Sequence, residues 1–220
     1  MDCREFKAPY LRRAQIWEKA DALRSRFPSC ATLPVPVLDL AEFDLGMELV
    51  PKARLRQAGD VEALLLGDLK TIFVDRDAFL DPRSEYRLRF SVAHELGHLI
   101  LHADVYGGLR HESLEAWMEF LLAIPEAEYD WLESHAYEFA GRLLVPPEPL
   151  RAALTEAVQS AEKAGFTEWD ATGETALSFV ASHIRRQFGV SAEVIAKRLR
   201  VEKLWPPPNS GESGRKAANV

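Results

Sequence analysis

The segment His94-Glu95-Leu96-Gly97-His98 has the residue types and the spacing of a hydrolytic metal site. Side chains four positions apart on an α-helix lie on one face, with their Cβ atoms roughly 5–6 Å apart. Both imidazoles could therefore reach one zinc ion at about 2.0–2.1 Å. Glu95 lies one position further round the helix, where a carboxylate can act as the general base for hydrolysis at the metal. The pattern predicts a zinc-dependent hydrolase.

The sequence around this segment predicts an amphipathic helix. Apolar residues with i, i+3, i+4 spacing form one stripe that should face a core. Asp81-Pro82 precedes them as a helix start signal, with Asp81 as the N-cap. Glycine costs a helix about 1 kcal/mol relative to alanine, so Gly97 indicates that another element approaches closely. The alternative is a buried helix whose histidines only form hydrogen bonds. The stripe comprises Phe90, Ala93, Leu96, Gly97 and Ile100.

A catalytic zinc site needs a third protein ligand, and a later helical segment, 133–147, offers one. Glu133 lies on the apolar inward face of this segment, where a buried carboxylate requires a cationic partner. Glu138 and His135 lie beside that face and remain alternatives. His102 follows the first histidine by about 12 Å of helical rise, too far for the same ion. It is predicted to support a ligand or to end the helix.

Three stretches of sequence resemble the ImmA/IrrE-type zinc metallopeptidases. They are RFSVAHELGHLILH, the pattern E-x-x-A-x-x-F-A-x-x-L-L-x-P that begins at Glu133, and FGVSAEVIAKRL at 188–199. The resemblance covers roughly residues 35 to 200. It implies a minigluzincin-like zincin fold of α+β class, with a small antiparallel sheet beside the metal helix. It also implies one zinc ion per chain, held by His94, His98 and Glu133, with Glu95 as the general base.

The resemblance also implies a substrate. Members of the family usually cleave a helix-turn-helix repressor encoded nearby, which releases a stress or mobile-element response. The sequence departs from the family pattern at 111–132, which is longer than usual and acidic, without Lys or Arg, and at Tyr137, where many members carry Asn. Neither change touches a proposed ligand. The candidates for a further donor to the oxyanion, or for support of a ligand, are His102, Tyr106, His111 and His135.

The elements that must position this chemistry follow an α+β order. Short strands are predicted at 47–50, 63–66 and 71–74, and residues 67–70 between the last two are typical of a hairpin turn. An edge of this sheet could bind extended substrate backbone, or the hairpin could be purely structural. Helices dominate after residue 82.

We predict a metallopeptidase domain over 1–173 that contains the acidic insert 111–132, a helical segment over 174–204 and a disordered tail over 205–220. The helical segment resembles a helix-turn-helix unit and carries six basic residues between 179 and 203. Contact with DNA phosphates is one interpretation. A hairpin packed on the catalytic domain is preferred, because no aromatic or Asn/Gln cluster indicates base readout.

Composition restricts the class of protein further. A chain of 220 residues, 47% of them hydrophobic, can bury a core. The absence of a long apolar run and of an apolar N-terminal leader predicts a cytoplasmic protein without a membrane span. Cys3 and Cys30 are predicted to be reduced thiols. A net charge of −7 argues against nucleic-acid binding over the whole surface.

Two alternatives to a zinc peptidase remain open. A site with two histidines and one carboxylate also accepts manganese or iron. The protein could instead be a non-catalytic regulatory partner of a repressor or of a toxin–antitoxin pair, or a DNA-binding regulator. Its metal site would then be structural or vestigial.

Overall fold

The computed structural model describes residues 6–56, 61–107, 119, 123–165 and 174–207. The chain forms two compact units, Met1–Leu144 and Val145–Val220. His111, much of the acidic insert and residues 208–220 lie outside the described residues. The proposed domain boundary at residue 173 stays a prediction.

The first unit is an α+β structure, which confirms the predicted class. Its helices are α1 (Arg13–Arg26), α2 (Val37–Asp39, continued by a π-helical turn over Leu40–Asp44), α3 (Arg76–Leu80), α4 (Glu85–Leu101), α5 (Ala103–Gly107) and α6 (Glu126–Leu144). Its strands are β1 (Glu48–Lys52), β2 (Ala63–Leu65) and β3 (Thr71–Asp75).

The three strands form one sheet in the order β1-β3-β2. β2 and β3 are antiparallel, with Leu64 opposite Phe73, so the predicted hairpin is confirmed. β1 and β3 are parallel, with Glu48 opposite Thr71. The expectation of a purely antiparallel sheet is therefore wrong for this pair. β1 and β3 run in the same direction, and β2 runs in the opposite direction. Because β3 lies between the other two strands, it pairs in parallel with β1 and antiparallel with β2.

Helix α4 carries the predicted metal segment and begins where the sequence indicates. The Asp81 carboxylate accepts a hydrogen bond from the Arg83 N–H at 3.0 Å, as an N-cap should. A short 3-10 helix, Pro82–Ser84, follows, and the α-helix proper starts at Glu85. The start signal at Asp81-Pro82 is confirmed.

Helix α4 packs closely against α6 at Gly97. A Cβ atom added to Gly97 would lie 3.0 Å from the Ala136 Cα atom and 3.2 Å from the Ala136 carbonyl oxygen. Both distances are shorter than most Cβ contacts, so a larger residue would require the Ala136 backbone to move by a few tenths of an ångström. This close approach agrees with the inference drawn from the cost of glycine in the helix. The contact brings the metal segment against the side chains of α6.

The second unit contains α7 (Pro147–Lys163), α8 (Glu174–Phe188) and α9 (Ala192–Val201). The turn between α8 and α9 contains Gly189 at a φ of +61°, which favours glycine, and Ser191 caps α9. Buried Arg198 pairs with Glu202, and Arg200 pairs with Glu174 at 2.6 Å. These two cations of the basic segment are thus paired with carboxylates within the unit.

No helix in the described part of the chain is long and apolar enough to cross a membrane.

Candidate metal centre

Three side chains from α4 and α6 place potential metal-ligand atoms within contact distance of one another. The Nε2 atoms of His94 and His98 are 3.0 Å apart. The Glu133 carboxylate touches both, with Oε2 3.2 Å from His94 Nε2 and Oε1 3.2 Å from His98 Nε2. Two atoms bound at about 2.0–2.1 Å to a tetrahedral zinc ion lie about 3.3 Å apart. The spacing and chemistry of these donors therefore fit zinc.

A second carboxylate borders the same histidines. Glu95 offers a ligand oxygen within 4.8 Å of the nearest nitrogens of His94 and His98, so these three residues could also hold a metal ion. However, the buried Glu95 Oε2 accepts a hydrogen bond from the Leu65 N–H at 2.7 Å. This bond directs the Glu95 carboxylate toward β2, whereas the Glu133 carboxylate is directed at both imidazoles.

The hydrogen bond from Leu65 also defines which edge of the sheet borders the site. Leu66 donates its N–H to the Thr71 carbonyl, and Asp75 donates to the Glu62 carbonyl. The even-numbered residues of this stretch therefore turn their polar backbone groups toward β3, and Leu65 turns its own groups away. The edge of β2 away from β3 therefore faces Glu95.

Burial and neighbouring charge set the protonation of the site. Burial raises the pKa of Glu95 to about 7, close to the value that suits a general base at neutral pH. Burial lowers the pKa of His98 to about 4. For His94, the hydrogen bond with Glu133 and the charges of both carboxylates outweigh burial, and the pKa is raised. For Glu133, burial is outweighed by hydrogen bonds with both histidines, which hold its pKa well below its usual range.

The two alternatives to Glu133 on α6 have other partners. Glu138 accepts a hydrogen bond from the Trp17 indole at 2.5 Å, and His135 Nδ1 lies 3.3 Å from His102 Nε2. Both are buried, so the expectation that they lie beside the buried face is wrong. The reason is that α1 packs on α6 over Glu138, whereas His135 lies against His102 at the end of α4.

Two of the remaining candidates, His102 and Tyr106, contact His98. His102 ends α4, and its Nδ1 atom lies 3.1 Å from His98 Nδ1. The Tyr106 ring stacks on the His98 ring, with centroids 5.0 Å apart. His111 lies outside the described residues. Tyr137 is half exposed and packs its ring edge-on against His94, with centroids 4.7 Å apart.

Tyr129 is a site residue that the sequence analysis missed. Its hydroxyl donates a hydrogen bond to the Glu133 carboxylate, and burial together with that negative charge raises its pKa above the usual range. Tyr129 precedes Glu133 by four residues, the spacing of neighbours on a helix surface. The sequence analysis places residues 111–132 in an acidic insert and therefore does not consider this spacing, whereas α6 already begins at Glu126.

These features, a buried His-Glu-His group on one helix beside a small sheet, define a metallopeptidase-type site within an α+β fold. Residues 71–200, more than half of the chain, match the family of the IrrE N-terminal-like domain, peptidase family M78. The chain belongs to this family. The match extends from β3 to α9, includes both helices of the metal centre, and confirms the family resemblance. Membership supports a zinc metallopeptidase-type function. No curated protein matches the sequence.

Proposed function

We propose that the protein is a zinc-dependent endopeptidase whose ion is held by His94, His98 and Glu133. The observation that carries the proposal is the mutual contact at 3.0–3.2 Å between two imidazole nitrogens and one carboxylate. Glu133 is preferred to Glu95 as the third ligand, because it contacts both histidines while Glu95 is bound to Leu65. Two histidines and a glutamate form a known ligand set of catalytic zinc.

In the proposed mechanism, each residue of the site has a separate role in peptide hydrolysis. When bound, zinc supplies a Lewis acid that lowers the pKa of water to about 7 and polarises the scissile carbonyl. Glu95 accepts the proton of the attacking water and passes it to the leaving amine. The Leu65 N–H orients the Glu95 carboxylate, and the Tyr129 hydroxyl orients that of Glu133.

The substrate that we propose is a polypeptide bound in extended form along the edge of β2 that faces away from β3. That edge borders Glu95, and backbone hydrogen bonding to the edge of a sheet is a common mode of peptide recognition. The family resemblance suggests a helix-turn-helix transcriptional repressor as the natural substrate, cleaved in the cytoplasm to release a stress or mobile-element response.

The test is cleavage of the helix-turn-helix repressor encoded beside this gene by zinc-loaded protein, followed by mass spectrometry of the fragments. Wild type should cleave it, and Glu95→Gln, which keeps the size of the side chain but removes the base, should not. Glu138→Gln is the matched control on α6 and should cleave at the wild-type position. An intact repressor with zinc-loaded wild type contradicts this substrate.

The same experiment separates the enzyme from a non-catalytic regulator. A regulator that acts by binding alone keeps its effect on the repressor in Glu95→Gln, because that substitution leaves the surface unchanged. Loss of both cleavage and derepression in Glu95→Gln supports the peptidase.

A further inference from the structure

Three buried histidines form a continuous chain that begins at the metal centre. His98 Nδ1 lies 3.1 Å from His102 Nδ1, and His102 Nε2 lies 3.3 Å from His135 Nδ1. Their exposed fractions are 2%, 1% and 3%. The chain ends at His135 Nε2, a buried atom without a hydrogen-bond partner among the described residues. We propose that His102 and His135 position His98 for metal binding through this chain, an inference that rests on the proposed function.

The ring nitrogen that carries the proton in each of the three histidines follows from the role of His98. His98 directs Nε2 at His94 and Glu133, so Nε2 is its ligand atom. A neutral imidazole that binds a metal through Nε2 carries its proton on Nδ1 and donates it to an outer partner. Here the partner is His102 Nδ1, which must therefore accept.

The remaining positions are then determined. Because Nδ1 of His102 accepts, its own proton lies on Nε2 and is donated to His135 Nδ1. Since that atom also accepts, the proton of His135 lies on Nε2. A single pattern of tautomers satisfies both contacts, and every hydrogen bond in it points away from the metal.

The chain acts on the rotation of the His98 ring. Tyr106 stacks on one face of that ring, with centroids 5.0 Å apart, which limits the tilt of the ring plane. The hydrogen bond from Nδ1 to His102 further restrains rotation of the ring about the Cβ–Cγ bond and so holds Nε2 toward the proposed ion. His102 is anchored in turn by its position at the end of α4 and by His135.

The first test is direct observation of the tautomers in wild type. Long-range proton–nitrogen NMR of zinc-loaded, ¹⁵N-histidine-labelled protein distinguishes Nδ1–H from Nε2–H among the six histidines. We expect the proton on Nδ1 in His98 and on Nε2 in His102 and His135. A proton on Nδ1 of His102 overturns the inference alone. Wild type that binds no zinc, measured on the same sample, overturns the proposed function and the inference with it.

The second test distinguishes the contribution of the hydrogen-bonding nitrogens of His102 from that of the size and shape of its ring. His102→Phe keeps the ring, His102→Asn keeps an acceptor near the Nδ1 position, and His102→Gln keeps a polar group only near Nε2. Zinc affinity, measured by competition with a chelator, should fall about 10–100-fold in His102→Phe, less in His102→Asn than in His102→Gln. His135→Phe should give a smaller loss than His102→Phe.

His183 provides a matched control, and either of two results would contradict the inference. The exposed His183 of the second unit is the control, and His183→Phe should bind zinc as wild type does. Wild-type affinity in His102→Phe overturns the inference. Equal losses in His102→Phe and His102→Asn, with both variants folded by circular dichroism, also overturn it, because the acceptor that Asn keeps near the Nδ1 position would then contribute nothing to zinc binding.

Discussion

Two carboxylates on α6, five residues apart, have different surroundings. Glu138 is the more deeply buried, and it accepts a hydrogen bond from the Trp17 indole and lies near Arg13. The Glu133 side chain is 26% exposed, and its described ion-pair partners are both histidines. The less buried carboxylate is therefore the one that contacts the two histidines. We infer that the chemistry of its partners, more than its depth of burial, distinguishes the proposed ligand from a structural acid.

The two sides of α6 differ in the same way beyond these residues. On the side facing α1, Arg142 forms a bidentate pair with Asp21 and lies over the Trp17 ring at 4.7 Å. Each charge there has an opposite charge from the protein. On the side facing α4, the Glu133 carboxylate contacts two imidazoles, whose nitrogens are of the type that binds metals. We propose that a metal cation supplies the positive charge on that side of the helix.

The largest expected effect is on zinc content. Glu133→Ala removes a ligand and should lower the metal from about one ion per chain to a small fraction of that, because a two-histidine site is incomplete. Glu138→Ala should keep its zinc. Elemental mass spectrometry after dialysis measures both. Zinc retained in Glu133→Ala would shift the third ligand to Glu95, and zinc lost in Glu138→Ala would remove the distinction between the two acids.

Without metal the order of the two variants should reverse. Glu138→Ala removes the acceptor of the part-buried bond from the Trp17 N–H, which should cost about 1 kcal/mol of unfolding free energy. Glu133→Ala should cost less, because its partners are imidazoles that water can reach once the carboxylate is gone. Denaturant unfolding of chelator-treated protein provides the values, with the exposed Glu126→Ala as the control. An equal or larger loss in Glu133→Ala contradicts the comparison.

Gly97→Ala should disturb one side of α6 and leave the other unchanged. The added Cβ meets backbone atoms of Ala136 at 3.0 and 3.2 Å, so overpacking of about 1–3 kcal/mol should exceed the helix gain of about 1 kcal/mol. Zinc affinity should also fall, because Glu133 lies three residues before Ala136. The Trp17 indole N–H signal in NMR, which reports the bond to Glu138, should not move.

A compensating substitution sharpens this result. Ala136→Gly removes only the Cβ contact at 3.3 Å and leaves the closer Cα and carbonyl contacts. The double variant should therefore recover part of the lost stability and not all of it. Full recovery would show that side-chain crowding, and not the backbone approach, explains the glycine.

Local sequence rules predicted the parts of the site that depend on one helix. The spacing of His94 and His98, the start signal at Asp81 and the meaning of Gly97 each follow from helix geometry, which acts over a few residues. The choice of Glu133 over Glu138 followed from the apolar stripe, although Glu138 proved to be buried too.

The features that could not be predicted depend on contacts between distant elements. The parallel pairing of β1 with β3 is determined by which strand occupies the centre of the sheet, and strand propensity carries no information about that order. The burial of Glu138 depends on a second helix, α1, packing on α6, and the burial of His135 depends on its contact with His102 at the end of α4. Tyr129 was assigned to an acidic insert, although it belongs to the helix that carries Glu133.

The smallest predicted effect concerns the aromatic side chains that donate hydrogen bonds to the two compared carboxylates, Glu133 and Glu138. Trp17 donates to Glu138, and Tyr129 donates to Glu133. Tyr129→Phe keeps the ring and removes the hydroxyl, so zinc affinity should fall about tenfold, the lower end for groups that orient a ligand. Trp17→Phe should leave zinc affinity unchanged. Unchanged affinity in Tyr129→Phe together with slower peptide cleavage would reassign its hydroxyl from Glu133 to the reacting carbonyl, because only a donor to the transition state lowers kcat without weakening the metal site.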